Sequence, residues 1–590
     1  MATKAGVWWP LEDSNLVNLD STIERTLAYH QRTKHHLHQY ARALGYLDWA
    51  TQPDPFRTYA GAPRIELDLL ADRVTSSYGD LFRPEAIPPQ TVGVETIGIL
   101  FELSLGLSAW KQYQGSRWAL RCNPSSGNLH PTEGYLIVPE VPGLTGGIYH
   151  YVSRDHCLER RCALEGRAAQ QLAESLPPDS FLVGLSSIHW REAWKYGERA
   201  FRYCQHDVGH AIAAVRIAAA ALGWSARLLD APGDADVTAL LGLDRDADFA
   251  DVAAADREHP DVLLWVSNTP ASSFSAPLAL RFAPDGIWEG RANPLSPQHV
   301  DWPIIDEVAK ATWKPETEPM QTFQPAALPP LIPSSQVAAG TLIRQRRSCL
   351  ALDGKTSISA ETFYRMLDSL LPRPGVPPWD TLPWEPRLHL GIFVHRVRGL
   401  TPGLYLLERD AAVHERLRPA LRDVFLWQRP PDCPEHLRLW CLAEADLRDV
   451  SRVASCHQEI ASEGAFSLGM FADFGDTIRQ RGSWWYRQLF WESGVLGQML
   501  YLEAEAAGIR STGIGCYFDD VFHDLLGIQT DAFQSLYHFT VGRPVDDSRL
   551  TTLAPYFHLE PKKPGPQESP YLATCRGDGD GERSGQSVEV

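Results

Sequence analysis

The chain has 590 residues, 44% of them hydrophobic and 22% charged, with a formal net charge of −18 and a pI near 5.6. A single core rarely grows beyond about 250–300 residues, so more than one domain is expected. The acidic balance argues against nucleic acid or an anionic membrane as the main partner, because binding phosphates needs a basic surface.

The ten cysteines are scattered, with no C-x-x-C pair, and Met1 to Asp13 holds no apolar core segment. A reducing, cytoplasmic setting with free thiols is therefore expected. No apolar run is long enough to cross a bilayer; the best candidate, Ala211 to Trp224, is short, contains Arg216 and reads as a buried helix.

Residues 1–80 read as an irregular N-terminal extension. Leu16 to Tyr46 is expected to be helical and to carry His30, His35, His36 and His38, with His35 and His38 on one face. No third ligand with suitable spacing stands near them, so no metal site is expected. Gln52 to Pro63, rich in proline and aromatics, reads as an extended wrap.

Residues 81–290 form a first domain. Glu95 to Trp110 reads as an apolar helix, and Arg121 to Pro131 as a tight polar loop that feeds the strand Tyr135–Val138. Proline fixes φ, glycine permits positive φ, and Ser and Asn close local side-chain turns. The loop's hydroxyls, amide and N–H groups could converge on one planar polar ligand. Gly147–Val152 reads as a strand, Trp190–Leu222 as a long helical region and Val262–Val266 as a short strand.

Residues 291–337 read as a proline-rich linker. The second domain, 338–560, opens on what reads as a helix start, Arg344 to Ser348. Gly403–Leu407 is a strand, Trp485–Ala507 a long helix and Ser511–Cys516 a glycine loop; the strand Leu536–Gly542 runs into Arg543. The tail, 561–590, is polar and glycine-rich and is expected to be disordered.

The two domains repeat one another. Gly209 and Gly494, Gly223 and Gly508, Arg202 and Arg487, and Leu240-Leu-Gly-Leu243 and Leu525-Leu-Gly-Ile528 are each separated by 285 residues (494 − 209 = 285). A tandem repeat of this size behaves as a fused dimer with an approximate two-fold axis between its halves.

Several motifs point to one ligand. At a helix start, Arg346, Arg347 and Ser348 would offer cationic and N–H donors to a phosphate, aided by the helix dipole. Arg543 would add a charge-assisted bond. Gly513 and Gly515, flanking Ile514, would let the backbone approach a flat ring. Pro124, Ser125, Ser126, Gly127 and Asn128 form the polar loop of the first domain, while Pro383 to Arg387 stands in roughly that place in the second.

On these motifs the chain resembles the FMN-dependent nitroreductase superfamily, in its SagB/ThcOx branch of azoline dehydrogenases, with two copies fused across most of residues 25–555. The resemblance implies an α+β fold of tandem nitroreductase-like domains forming a pseudo-dimer. In the family each flavin lies at the dimer interface and takes contacts from both protomers. Here the Arg-Arg-Ser and glycine elements occur only in the second domain, and the Ser/Asn loop only in the first. The resemblance therefore implies one composite FMN site per chain.

It also implies a catalytic role for Lys195 and Tyr196, which match the branch's Lys-Tyr pair linked to substrate deprotonation. A desolvated lysine can act as a base and a tyrosine can polarise or relay. The implied activity is oxidation of a thiazoline or oxazoline, in a small molecule or a peptide, with dioxygen as final acceptor. An NAD(P)H-dependent nitro or quinone reductase, and a flavin-free scaffold within a peptide-maturation complex, are the alternatives. Further homo-oligomerisation is left open.

Overall fold

A computed structural model describes residues 19–269 and 286–559. The expected disordered tail and the absence of an apolar N-terminal segment both fall outside these residues.

The fold is α+β, built on two antiparallel sheets of one design. In the first domain the strands lie in the order Cys157–Ala163, Gly147–Val152, Thr132–Val138, Ser180–Ser187, His259–Ser267, Ser225–Leu228. Two short edge strands, Arg64–Glu66 and Ile287–Trp288, also pair with Cys157–Ala163. In the second domain the order is Leu439–Glu444, Gly403–Leu407, Leu388–Val394, Phe466–Asp473, Phe533–Gly542, Arg510–Ile514.

Strand residues alternate between faces, and here both faces are covered. Leu136 and Val138 point into the large core around the long helices, whereas Tyr135 and Ile137 point into an outer core shared with Leu240 and Leu241. That double burial is why the central strands read as continuous apolar runs.

The repeat is structural as well as sequential. The helices Ala200–Ala221 and Trp485–Ala506 have 22 residues each and begin and end at the 285-residue offset. So do Asp234–Leu241 and Asp519–Leu526, each closed by a left-handed glycine, Gly242 and Gly527. The long helices cross where Gly209 meets Gly494: a Cβ on either would lie 2.8 Å from the other's Cα and would strike the facing helix's carbonyl oxygens. Arg202 binds Asp519 at 2.9 Å, and its repeat mate Arg487 binds Asp234, the mate of Asp519, at 2.8 Å. Such reciprocal contacts are those of a two-fold interface.

The chain's ends tie the halves together. Thr551–Leu553 pairs with Leu107–Tyr113 of the first domain. The N-terminal helix Leu19–Arg32 places Arg32 on Glu198 and His30 against Tyr486.

Several sequence expectations are corrected. The N-terminal helix ends at Arg32, so His35 and His38 share no helical face; the His35 ring instead accepts from Ala41 N. The helix expected over Glu95–Trp110 stops at Ser104, where Gly106 packs against Glu102 main chain, and the chain re-emerges as the strand Leu107–Tyr113. The proline-rich linker contains a helix, Pro303–Ala311, and is pinned by bonds such as Tyr78 N to Val337 O. Arg344–Ser348 is the end of the helix Ala339–Gln345, not the start of one. Ser511–Ile514 lies within an edge strand rather than a loop.

Candidate active site

The polar loop of the first domain is held from behind. Asp207, on the long helix, accepts from Ser126 N at 3.1 Å and Ser126 Oγ at 3.1 Å. Ser125 Oγ accepts from His130 N at 2.8 Å, and Asn128 Nδ2 donates to Ala119 O at 2.9 Å. Pro124 is buried, whereas Gly127 is exposed at φ 58°. In the second domain Glu492, the 285-residue mate of Asp207, accepts from Arg387 N at 3.1 Å. The Pro383–Arg387 segment is thereby shown to be the loop's structural counterpart.

Arg346 joins the halves. It is buried, and its Nη2 donates to Arg121 O at 2.9 Å and Cys122 O at 3.1 Å, at the root of the polar loop. Arg347 donates to Arg344 O, Arg346 O and Ser108 O. Among the described residues neither guanidinium makes an ion pair. Burial lowers the pKa of Arg346, and burial together with Arg346 pushes Arg347 down to about 10. Lys111 and Arg510 add to the same field: burial, then Arg347 and Arg510, lower the Lys111 pKa.

These residues stand at a helix C-terminus, so the helix dipole works against an anion there rather than for it. The cations themselves must supply the attraction. Arg346 is buried over the Tyr501 ring, Arg347 is half-buried, and the Glu505 carboxyl acts on both without forming an ion pair. Cations that repel one another in this way are a donor set suited to an anion such as a phosphate. Ser348, exposed, approaches Tyr501 Oη at 3.1 Å, and Gly513 N donates to the same hydroxyl at 3.0 Å. Arg543 is exposed and follows Gly542, the partner of Arg510, so it lies at Arg510's end of the strand and away from Gly513.

From the cations a seam of aromatic rings leads to Lys195. The Tyr537 hydroxyl occupies the space a Gly513 side chain would fill, and the Tyr203 ring does the same at Gly515. Ile514, between them, packs with Cys349 and Leu352. Tyr537 stacks on His206 at 4.1 Å between ring centroids and lies 5.5 Å from Phe539 and 5.9 Å from His210, with its hydroxyl 3.3 Å from His210 Nε2. Tyr203 lies 4.5 Å from Tyr196, whose hydroxyl covers Gly127. The glycines are therefore needed where expected, for close approach, but tyrosines are what approaches them.

Lys195 and Tyr196 end the short helix His189–Tyr196, which breaks at Gly197, φ 55°, where a side chain would strike Arg42 main chain. Burial lowers the Lys195 pKa, partly offset by Glu192 one turn earlier. Burial, then Glu192, holds Tyr196 well above the ordinary tyrosine range. Glu192 is itself buried, and burial with nearby Asp207 holds it well above the usual carboxylate range. Burial pushes Asp207 up to about 7. The arrangement supports proton exchange at Lys195, with Tyr196 as a neutral hydrogen-bond donor.

The sequence reading missed Lys111, Arg510, Tyr203, Tyr501, Tyr537, Glu192 and Asp207. Asp207 and Tyr203 lie in the long helix at apolar-looking positions, and only the tertiary fold brings Lys111 and Arg510 near Arg346. No group of His, Cys, Asp or Glu able to hold a metal occurs among the described residues, and none of the described helices is long and apolar enough to cross a membrane.

No family model matches the sequence. The chain is 38% identical over 109 residues to the trifolitoxin-processing protein TfxB of Rhizobium leguminosarum bv. trifolii, which takes in 17% of this chain and 29% of TfxB. It is 28% identical over 124 residues to MJ1384 of Methanocaldococcus jannaschii, a protein assigned as a nitroreductase, covering 20% of this chain and 62% of that one. The chain thus matches less than two thirds of the length of either relative. The crystal structure of a protein from Anabaena variabilis assigned as a nitroreductase superposes with a TM-score of 0.64 at 21% identity, over 88% of this chain and 99% of that one. The chain has the nitroreductase fold. The nitroreductase-like fold and the tandem α+β architecture are both borne out, and nearly the whole length of the Anabaena chain is matched by the fused pair of domains.

Proposed function

We propose that the chain is an FMN-dependent oxidoreductase of the SagB/ThcOx kind, dehydrogenating a thiazoline, an oxazoline or a related group in a small molecule or peptide. The observation that carries this reading is the Arg346–Arg347 pair, whose guanidinium groups donate to carbonyl oxygens and make no ion pair among the described residues, at the edge of a glycine- and tyrosine-lined seam ending at Lys195. Arg346, Arg347, Arg510 and Lys111 would hold the phosphate, with Ser348 beside them. The main chain around Gly513 and Gly515 and the Ser125–Asn128 loop would flank the ring, and Arg543 is not assigned a contact. The partial match to a toxin-processing protein favours a peptide substrate over a free small molecule.

FMN, when bound, supplies a two-electron acceptor, and dioxygen is the final acceptor in this reading. The chain's own part is the proton. Lys195, made less basic by burial, takes the proton that does not leave as hydride. Tyr196 stays protonated and orients the reacting group by donating a hydrogen bond.

The test is differential binding. Arg346→Ala should weaken FMN by about ten- to a hundredfold, the value of a charge-assisted bond of roughly 1.5–3 kcal/mol. Arg510→Ala should weaken it by less, because Arg510 also pairs with Asp546. Riboflavin, which lacks the phosphate, should bind both variants as it binds the unaltered protein. Equal loss of riboflavin would mean that the arginines only shape the fold. A colourless protein that takes up no FMN would favour the scaffold alternative.

A further inference from the structure

Of the nine described cysteines six are buried; Cys433, Cys456 and Cys516 are half-buried, and of these Cys456 and Cys516 meet. The main chain brings them together. The helix Arg448–Ala454 runs out into a turn in which Cys456 and His457 both stand at positive φ, 53° and 62°. Consecutive non-glycine residues rarely hold that conformation, which persists where the surroundings fix it. Here they do. Phe518 N donates to Ala454 O at 2.8 Å, Gln458 Nε2 donates to Cys516 O at 3.0 Å, and the His457 ring lies 5.5 Å from that of Phe518. So held, the two thiols are hydrogen-bonded to each other, and Tyr40 is hydrogen-bonded to Cys456.

The two thiols are not alike. The bond from Cys456 lowers the Cys516 pKa against the opposing effect of burial, and Arg199, whose Nη2 donates to Gly515 O at 3.3 Å, lowers it further. Burial, then the same bond, raises Cys456. A thiolate is the form that attacks an oxidant, and a second thiol in contact completes a disulfide. The pair stands at the edge of the tyrosine seam: Cys516 follows Gly515, on whose main chain the Tyr203 ring rests.

We propose that Cys456 and Cys516 are a reversible redox modification site, which reacts with hydrogen peroxide and closes to a disulfide. Cys516 Sγ attacks one peroxide oxygen, the O–O bond breaks, and a sulfenic acid forms as one water leaves. The Cys456 thiol then attacks that sulfur, the S–O bond breaks, the S–S bond forms and a second water leaves. Two thiols lose two electrons, one peroxide gains them, and both thiol hydrogens end in water. An external dithiol reverses the step by exchange. The bridge ties the turn after Ala454 to the end of the strand Arg510–Ile514, beside the main chain on which Tyr203 packs. Hydrogen peroxide is also what two-electron reduction of dioxygen yields, but the site does not rest on the reading given under Proposed function.

The test uses the native full chain, reduced and then freed of reductant. It is treated with a small excess of hydrogen peroxide, and the remaining thiols are alkylated and mapped by peptide mass spectrometry. Two thiols per chain should disappear, a peptide joining Cys456 to Cys516 should appear, and dithiothreitol should restore both. Cys456→Ser should leave Cys516 as a sulfenic acid that dimedone captures. Cys516→Ser should abolish the bridge and slow oxidation of Cys456 by tenfold or more. Both cysteines remaining free while others oxidise overturns the proposal. So does a bridge that forms only in denaturant, or one that joins either residue to a different cysteine. Oxidation of Cys456 at an unchanged rate in Cys516→Ser overturns the assignment of Cys516 as the attacking thiol. The mapping on the unaltered chain decides the matter even where a variant fails to fold.

Discussion

Lys195 and Glu192 stand one turn apart on a helix whose surroundings strip both of water, and their charges are set against each other. Burial lowers the lysine pKa, and the carboxyl pulls it back up. The base form is the deprotonated one, so substrate-driven flavin reduction should rise with pH through an inflection below the ordinary lysine value of about 10.4. Lys195→Ala should remove that inflection and slow the step by about 10²–10⁴-fold, the usual worth of a general base. Burial keeps Glu192 protonated at neutral pH, so it opposes loss of the lysine proton only as it ionises at higher pH; Glu192→Gln removes that charge, and the inflection should move to lower pH. Rapid-mixing absorbance with a panel of thiazoline and oxazoline peptides measures both. Unaltered profiles in both variants would remove Lys195 from the chemistry. Reduction by NAD(P)H with nitro-aromatics at full rate in Lys195→Ala, with no response to any azoline, would favour the reductase reading.

At the scale of elements, the contacts across the helix crossing are the most constrained. A Cβ on Gly209 would meet the main chain of Trp491 and Gly494, atoms that cannot swing aside. Gly209→Ala should therefore cost about 1–3 kcal/mol or more, as overpacking does, although alanine is the better helix former. Unchanged denaturant midpoints would show that the crossing yields. The twin ion pairs beside it are not equal. Burial alone would raise the Asp519 pKa, but Arg199 and Arg202 outweigh it and hold the carboxyl well below its usual range. Burial instead raises Asp234, which Arg487 only partly counters. A depressed carboxylate stabilises the fold above its unfolded value, near pH 4, and loses that stabilisation as pH falls toward the folded one. Asp519→Asn should thus destabilise at pH 7 by about 3–5 kcal/mol, leaving two buried arginines unpaired. It should also flatten the acid limb of the stability curve, with Asp234→Asn doing less on both counts. Chemical denaturation from pH 3 to 7 reads both effects.

The same scale shows what the sequence could reveal. The 285-residue register, the long helices and the buried strands were legible because apolar runs and paired glycines report burial and close approach directly. The direction of Arg344–Ser348 was not, since nothing in Arg-Arg-Ser distinguishes a helix's first turn from its last. Nor was the strand at Ser511–Ile514, where glycines imitate a turn because Tyr537 needs the room. Lys111 and Arg510 were invisible as partners of Arg346, because strands far apart in sequence bring them together. Lys195–Tyr196 and the Ser/Asn loop could be named from sequence. Their shared contact, the Tyr196 hydroxyl over Gly127, needed the fold.

For the whole molecule, the two-fold axis makes two equivalent places and sequence divergence makes them unequal. On one side stand Tyr501, His210, Gly513, Gly515 and the unpaired Arg346 and Arg347. At the 285-residue offset the other side has Arg216, Val495, Leu228 and Asp230 in place of the first four. Arg83 of the first domain is exposed and pairs with Asp80 at 3.1 Å. An FMN phosphate would meet Arg346 and Arg347, which make no ion pair, on the first side, whereas on the second Arg216, Arg373 and Arg409 are already paired with carboxylates and Arg227 is bonded to Thr322. One FMN per chain is the expected stoichiometry, measured by flavin absorbance against protein concentration after reconstitution with excess FMN. Leu228→Gly with Asp230→Gly should not raise the ratio, because it restores room for a ring but no cations for its phosphate. A ratio near two in the unaltered protein would mean that the Pro383–Arg387 segment and the paired arginines serve as well as the Ser/Asn loop and the Arg346–Arg347 pair, and the asymmetry argued from them would fall.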